Sequence, residues 1–206
     1  MFDGCGGLTH IPFALNFADS QYVDWTYFLN NVYALEELPV MNMTKIPNTM
    51  KDAISGCDRL KSINIDFNSL DFSPLVSSTT QYEGRCFYDD ASLRALPMDY
   101  YKQIKKYRTR SKGTSYSPYY YLAYQDKMLD AIYDMPVYTV DNYTSNAFNN
   151  AFGNTLRLKD FTFETQEDGT PFVANWKNQT LNLAYNCGYA PNGNEIQYLQ
   201  NYGNSL

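Results

Sequence analysis

The chain has 206 residues, of which 44% are hydrophobic and 17% aromatic, and its net charge is −6. This length predicts one domain or one repeat array, and the negative charge argues against a general affinity for nucleic acid or anionic membranes. No stretch approaches the roughly 18 consecutive apolar residues of a membrane helix. Tyrosine (20 residues) and asparagine are abundant. Both suit binding surfaces, although tyrosine fills partly wet cores equally well.

A leucine-centred phrase recurs along the chain. It reads MFDGCGGLTHIPF at 1–13, FLNNVYALEELPV at 28–40, AISGCDRLKSINI at 53–65, CFYDDASLRALPM at 86–98, more weakly DKMLDAIYDMPV at 126–137, and AFGNTLRLKDFTF at 151–163, with a shorter echo NQTLNL at 178–183. Its first leucine position falls at Leu8, Leu35, Leu60, Leu93, Ile132 and Leu158. Such periodicity predicts a solenoid. Each repeat would add one short parallel strand, and neighbours would stack because no single repeat can bury its own apolar stripe.

Two features refine the elements that we expect around each phrase. Apolar residues at three- and four-residue steps in 22–32, 50–57 and 147–152 predict short helices or 3₁₀ turns on the convex side. Prolines fall inside or just after the predicted strands, at Pro12, Pro39, Pro97 and Pro136. Because proline cannot donate to a strand ladder, we expect strands of only about three or four residues, several of them closed by proline.

The phrases MFDGCGGLTHIP and AISGCDRLKSI resemble the BspA-type leucine-rich repeats, over roughly residues 1–183. With the periodicity, this resemblance predicts an α/β fold: a leucine-rich-repeat solenoid with a short-stranded parallel sheet and short convex helices. We expect the irregular solenoid to span 1–187, with an insertion at about 99–127, and a polar cap or tail to occupy 188–206.

The resemblance also implies a function. Members of the family are secreted or surface proteins of bacteria and some protists, or structural proteins on tailed-phage particles. It therefore implies adhesion or structural binding, without catalysis or a cofactor. The tail FVANWKNQTLNLAYNCGYAPN is most similar to the phage members. We expect a virion surface or receptor-binding component, and the alternative is a fragment of a bacterial cell-surface adhesin.

Cys5 and Cys57 hold equivalent positions two repeats apart, with Val32 between them. Adjacent strands lie about 4.8 Å apart, so these cysteines would be roughly 10 Å or more apart, whereas a disulfide needs Cα atoms within about 7 Å. We predict two free, buried thiols. Cys86 and Cys187 fall outside this position.

Little in the sequence points to catalysis or metal binding. His10 is the single histidine, and no neighbouring residue supports a nucleophilic triad. The stretch DFNSLD at 66–71 lacks the glycine and closing glutamate of a calcium loop. Glu37, Asp134 and Asp160 recur on one side of three repeats. A carboxylate pair for glycoside hydrolysis stays open there, but a solvated acidic strip fits better. We therefore predict no catalytic, cofactor or metal site.

The outward positions of successive strands form a predicted ligand face, suited to a protein or glycan receptor. Its residues are His10, Glu37, Ser62, Asn64, Asp134, Asp160, Thr162, Thr180 and Asn182.

The insertion mixes basic and aromatic residues. Such a segment can bind nucleic acid, but docking on an acidic protein, including another copy of this acidic chain, fits better. The predicted docking residues are Lys102, Lys105, Lys106, Arg108, Arg110, Tyr119 and Tyr120.

The two ends of the chain differ. Solenoids need polar terminal repeats, yet the sequence enters its first repeat directly with Met1 and Phe2. Asp3 lies where the basic region of a signal peptide would be. We expect a fragment of a longer array, or other virion subunits or further repeats covering this edge. Residues 188–206 are polar, as a cap or linker would be.

Overall fold

The computed structural model describes residues 1–18, 22–77, 85–107, 121–136 and 152–165. Within these ranges the strands are short and pair only in parallel: β1 (Leu15–Asn16) with β3 (Met41–Asn42), β2 (Leu29–Asn30) with β4 (Ile54–Ser55), and β5 (Ala131–Met135) with β6 (Asp160–Phe163). The helical elements are a 3₁₀ turn (Phe67–Ser69), α1 (Ser73–Ser77) and α2 (Met98–Tyr107). Each strand pair joins one phrase-bearing stretch to the next. The leucine-rich-repeat class of the fold stays a prediction.

One backbone position is hydrogen-bonded from stretch to stretch. In five places the N–H at this position donates to a backbone carbonyl of the following stretch. The bonds run from Gly4 to Asn30 (2.9 Å), Asn31 to Ser55 (2.8 Å), Gly56 to Tyr88 (3.3 Å), Asp89 to Tyr124 (2.6 Å) and Gln125 to Gly153 (2.7 Å). These donors, and Asn154 after them, all have a left-handed backbone, with φ between 56° and 71°. Glycine and asparagine adopt this conformation at least cost. We call this series the left-handed column.

Four residues after each left-handed residue, a leucine closes a turn by donating its N–H to the carbonyl three residues before it. The pairs are Leu8–Cys5, Leu35–Val32, Leu60–Cys57, Leu93–Asp90, Leu129–Asp126 and Leu158–Thr155. We number the stretches as segments one to six by these leucines. In segment five the leucine position belongs to Leu129, so the sequence alignment on Ile132 was three residues out of register. Both side chains are buried, which is why apolarity alone did not separate them.

The leucines of segments two to six lie in one continuous apolar core, and the half-buried Leu8 packs against it. Aromatic rings pack within and between segments: Trp25 stacks on Phe28 at 4.6 Å between ring centroids, and Phe2 of segment one meets Phe28 of segment two edge-on at 6.0 Å. Since burying one leucine contributes about 1.5–3 kcal/mol, the stacked leucines are a large part of what holds the segments together.

Two of the expected convex helices are absent. Residues 22–32 and 50–57 form turns and the two-residue strands β2 and β4. In each of these stretches, a turn with inward-facing apolar residues is followed by a strand whose residue is also buried. The distance along the sequence between these buried residues resembles the apolar spacing of a helix. The third stretch, 147–152, lies almost wholly outside the described residues. Strands β1 to β4 have only two residues each, and none of them contains the leucine of a segment, where the strands were predicted. The leucine itself closes a turn, so its N–H is not available for a strand ladder. Pro136 directly follows β5.

The predicted insertion begins as helix α2 and packs on the core. Tyr100, Tyr101 and Ile104 are buried, while Asp99 in the first turn and Lys105 in the last complement the helix dipole. Residues 121–127 already belong to segment five. The part of the insertion that the structure describes is therefore integrated into the fold and does not protrude.

Two carboxyl groups are buried between segments. Asp90 accepts a hydrogen bond from the N–H of Cys57 (2.8 Å), and Asp126 accepts one from the N–H of Asp90 (2.9 Å). Both residues are fully buried, and the second carboxyl oxygen of each has no partner. Burial raises both pKa values well above the ordinary range; Asp89 adds to the effect at Asp90, and Asp90 adds to it at Asp126.

Replacing Asp90 by asparagine should change how stability depends on pH. The unfolded carboxyl titrates near about 3.9, so the wild type loses stability as pH rises from about 4 toward the raised folded pKa, by about 1.4 kcal/mol for each pH unit in that interval. The variant lacks the Asp90 contribution to this loss, while Asp126 keeps its own. Urea unfolding at about pH 4.5 and 7.5 should show Asp90→Asn gaining on the wild type at the higher pH. The exposed Asp3→Asn is the control. Equal gains for both variants would contradict the buried-acid interpretation.

The left-handed column makes a second prediction. An alanine at Gly56 would adopt φ 66° and place its Cβ 2.8 Å from Asn31 Oδ1, so Gly56→Ala should lose about 1–2 kcal/mol of unfolding free energy. Gly7 has neither a left-handed backbone nor any atom near its would-be Cβ. Gly7→Ala should therefore change stability by less than about 0.5 kcal/mol. Similar thermal midpoints for the two variants would refute the role given to the column.

Candidate functional site

Every residue of the predicted ligand face that the structure describes is exposed, namely His10, Glu37, Ser62, Asn64, Asp134, Asp160 and Thr162. Thr180 and Asn182 lie outside the described residues. His10, Glu37, Ser62 and Asp160 share one position, two residues after the leucine of their segment. In segments four and five this position is occupied by Ala95 and Ala131. The described residues of the predicted ligand face therefore form two polar groups, one in segments one to three and one in segments five and six.

The group in segments five and six is organised by an irregularity between β5 and β6. Their register shifts between Ile132 and Met135, and Asp134 has φ 54°. This bulge lets the N–H of Asp134 donate to Thr162 Oγ1 at 3.1 Å. Sequence reasoning placed Asp134 in the same column as Glu37 and Asp160. That placement was wrong, because the leucine of segment five lies three residues earlier than the alignment assumed.

Tyr133 is the residue of this group that sequence reasoning missed. Its side chain is 56% exposed, and its hydroxyl donates to Asp160 Oδ2 at 3.3 Å. The Asp160 carboxylate raises the pKa of Tyr133. Tyr133, Asp134, Asp160 and Thr162 thus form a small surface, which we call the Tyr133 patch. It offers an aromatic ring, two carboxylates and a hydroxyl.

A second polar cluster lies in segments three to five, on residues that precede the leucines. Arg85 Nε donates to Asp52 Oδ1 at 2.9 Å, and Arg85 Nη2 donates to the Tyr88 hydroxyl at 3.0 Å. The guanidinium carbon lies 5.3 Å from the centroid of the Tyr88 ring and 5.5 Å from that of Tyr121. Tyr124 meets Tyr121 edge-on at 4.9 Å. We call these five residues the Arg85 cluster.

The sequence carried a signal for this cluster. Asp52, Arg85 and Tyr121 each precede the leucine of their segment by the same distance. With Ile132 taken as the leucine of segment five, Tyr121 fell out of line. The correct register stacks the three residues.

The predicted docking residues lie on α2 or outside the described ranges. Lys102 and Lys106 are exposed, and Lys105 pairs with Glu164. Arg108, Arg110, Tyr119 and Tyr120 are among the residues that the structure does not describe.

Catalytic chemistry finds little support in the described ranges. His10 is exposed and lies 3.3 Å from the hydroxyl of its neighbour Thr9. Across residues 1–18, 22–77, 85–107, 121–136 and 152–165, no three histidine, cysteine, aspartate or glutamate side chains are grouped to hold a metal ion. The helices within those same ranges are too short or too polar to cross a membrane.

Comparison with known protein families, curated proteins and solved structures finds no match for this chain. The resemblance to leucine-rich repeats therefore depends on the sequence phrases alone.

The cysteines differ in environment. Among the described residues, Cys5, Cys57 and Cys86 form no disulfide. Cys57 is buried and donates to the carbonyl of Leu29 at 3.0 Å, and Cys86 is buried with its sulfur 3.0 Å from the Tyr100 hydroxyl. Cys5 is exposed, contrary to the sequence prediction, because the glycines around it have no side chains to cover it. Cys187 lies outside the described residues.

Thiol labelling should follow these environments. Burial raises the pKa of Cys57 far above its ordinary value, and a buried neutral thiol reacts poorly. In native protein, iodoacetamide should modify Cys5 readily, and it should modify Cys57 and Cys86 only after unfolding. Peptide mass spectrometry reads each site, and a Cys5→Ser variant is the control. Native labelling of Cys57 at the rate of Cys5 would contradict the described packing.

Proposed function

We propose that the protein is a non-enzymatic binding protein that recognises a glycan through the Tyr133 patch. Consistent with the repeat resemblance, we propose the exterior of a phage particle as its setting, and the surface of a bacterial cell as the alternative. The observation that carries the proposal is the exposed Tyr133 ring, whose hydroxyl donates to Asp160. Tyr133 is next in sequence to Asp134, whose N–H donates to Thr162.

The chemistry of the patch matches a sugar. Aromatic side chains offer a broad apolar face and a polar tip, which suits a pyranose ring with its axial C–H groups on one side. The carboxylates of Asp134 and Asp160 accept hydrogen bonds from sugar hydroxyls, and the Thr162 hydroxyl can donate or accept. A few such polar groups fix orientation and specificity in ligand sites.

The patch is also ordered before a ligand arrives. The Tyr133 hydroxyl is bonded to Asp160, and the Asp134 backbone is bonded to Thr162. Side chains that are already fixed lose less conformational entropy on binding, which improves affinity without new contacts.

The charge of the patch argues against a polyanionic ligand. Asp134 and Asp160 are both exposed carboxylates, and they would repel phosphate groups at short range. Glycans that are neutral at the patch avoid this repulsion, whereas a nucleic acid does not.

An acidic protein is the second candidate ligand, through a different surface. Lys102 and Lys106 are one helical turn apart on α2 and both are exposed. Residues four apart on a helix are neighbours, so the two amines present one cationic face.

A glycan array followed by calorimetry tests the proposal. The wild type should bind one glycan class, and incubation should leave that glycan intact. Tyr133→Ala should weaken binding about five- to 150-fold, since stacking of an aromatic ring on a flat partner contributes on the order of 1–3 kcal/mol. Tyr22→Ala removes another exposed tyrosine outside the patch and should bind like the wild type.

Three results would refute the glycan proposal: no glycan bound, equal affinity of Tyr133→Ala and wild type, or cleavage of the bound glycan. Binding that responds instead to Lys102→Glu with an acidic protein would favour the second candidate.

A further inference from the structure

We propose that the Arg85 cluster is a binding site for the anionic group, a carboxylate or sulfate, of an acidic saccharide. The site is separate from the Tyr133 patch and would bind such a ligand even if that patch binds none.

The first observation is that a buried side chain of the protein, Asp52, holds Arg85 in place. Its Nε donates to Asp52, whose side chain is only 1% exposed, while the Arg85 side chain keeps 28% exposure. A buried ion pair contributes little net stability. What it does here is fix the orientation of the guanidinium. Positioning an exposed functional group by a buried partner is how binding sites are made rigid.

The second observation is that the Arg85 guanidinium has N–H donors that the described fold does not use. A guanidinium has five N–H donors. Asp52 and the Tyr88 hydroxyl each take one through Nε and Nη2, and no hydrogen bond from Nη1 to a described residue occurs. Planar N–H forks match carboxylate and sulfate oxygens, and such charge-assisted bonds are about twice as strong as neutral ones.

The third observation concerns the rings beside Arg85. Tyr88 and Tyr121 lie over the guanidinium at 5.3 and 5.5 Å. Rings in this position exclude water, and a hydrogen bond to a charged group is stronger where the local dielectric is low. Burial and the nearby Asp52 charge raise the pKa of Tyr88, so its hydroxyl stays neutral and does not repel an anion.

The aromatic surroundings favour a saccharide over a bare anion. Tyr121 and Tyr124 meet at 4.9 Å, and all three tyrosines of the cluster are partly exposed. A sugar that places its anionic group on Arg85 would lay its ring against tyrosine, adding apolar contact that an inorganic anion lacks.

Calorimetry or ligand-observed NMR with three oligosaccharides tests the site: one of glucuronic acid, one of sulfated glucose and one of neutral glucose. The wild type should bind at least one acidic oligosaccharide, and which one identifies the anion. The neutral oligosaccharide should bind at least about tenfold more weakly. Losing a hydrogen bond to a charged group changes affinity by about 1.5–3 kcal/mol, which is tenfold or more.

Variants separate binding from folding. Arg85→Lys keeps a cation for Asp52 but loses the fork, and the double variant Asp52→Asn with Arg85→Gln removes both charges together. Each should weaken acidic-oligosaccharide binding at least about tenfold while the thermal unfolding transition stays cooperative. Arg59→Gln is the matched control, because Arg59 pairs with Glu36 at 3.7 Å on an exposed surface.

The inference is overturned if neither acidic oligosaccharide binds, if neutral and acidic oligosaccharides bind alike, or if Arg85→Lys and the double variant both bind like the wild type. Tyr133→Ala distinguishes this site from the proposed glycan patch, because that variant should leave acidic-oligosaccharide binding unchanged.

Discussion

The described structure depends on one repeated backbone constraint. In segment after segment, a residue with left-handed φ donates its N–H to the carbonyl of the next segment. Because the bond crosses between segments, each segment must lie over its neighbour at the spacing of adjacent strands. The leucine four residues later then always points into the same column. Packing and hydrogen bonding thus impose one register, and neither would hold it alone with strands of two residues.

Both candidate binding surfaces follow from that register. Positions at a fixed offset from the leucine stack on one another, so a contact between distant residues needs only the right residue type in neighbouring segments. Asp52, Arg85 and Tyr121 meet because they share one offset, and the long side chains of Glu36 and Arg59 meet across neighbouring segments from offsets that differ by two residues. The bulge at Asp134 is the exception, since it breaks the register locally and brings the N–H of Asp134 within hydrogen-bonding distance of Thr162 Oγ1.

The leucine phrases allowed the recurring leucine position of five segments to be predicted, because its distance along the chain from neighbouring apolar residues is visible in the sequence. The strands expected at these leucines are turns instead. Segment five failed, since Ile132 and Leu129 are equally apolar and only the left-handed Gln125 tells them apart. The convex helices failed because a turn followed by a strand gives the same apolar spacing. The Arg85 cluster was not predicted, because Tyr121 lines up with Asp52 and Arg85 only when Leu129 is taken as the leucine of segment five. The class of the fold and the binding function remain proposals.

The buried acids and the Arg85 cluster both place polar groups against the core, but only the Arg85 cluster keeps partly exposed N–H donors that no described group accepts. At the position after the left-handed residue, Asp90 and Asp126 accept N–H groups that lack a backbone partner. Leaving such a donor unsatisfied costs about 1–3 kcal/mol, so a buried carboxyl at this position has a structural use. Asp52 likewise serves to hold Arg85. The remaining Arg85 donors satisfy no described group of the fold, and for that reason we assign them to a ligand.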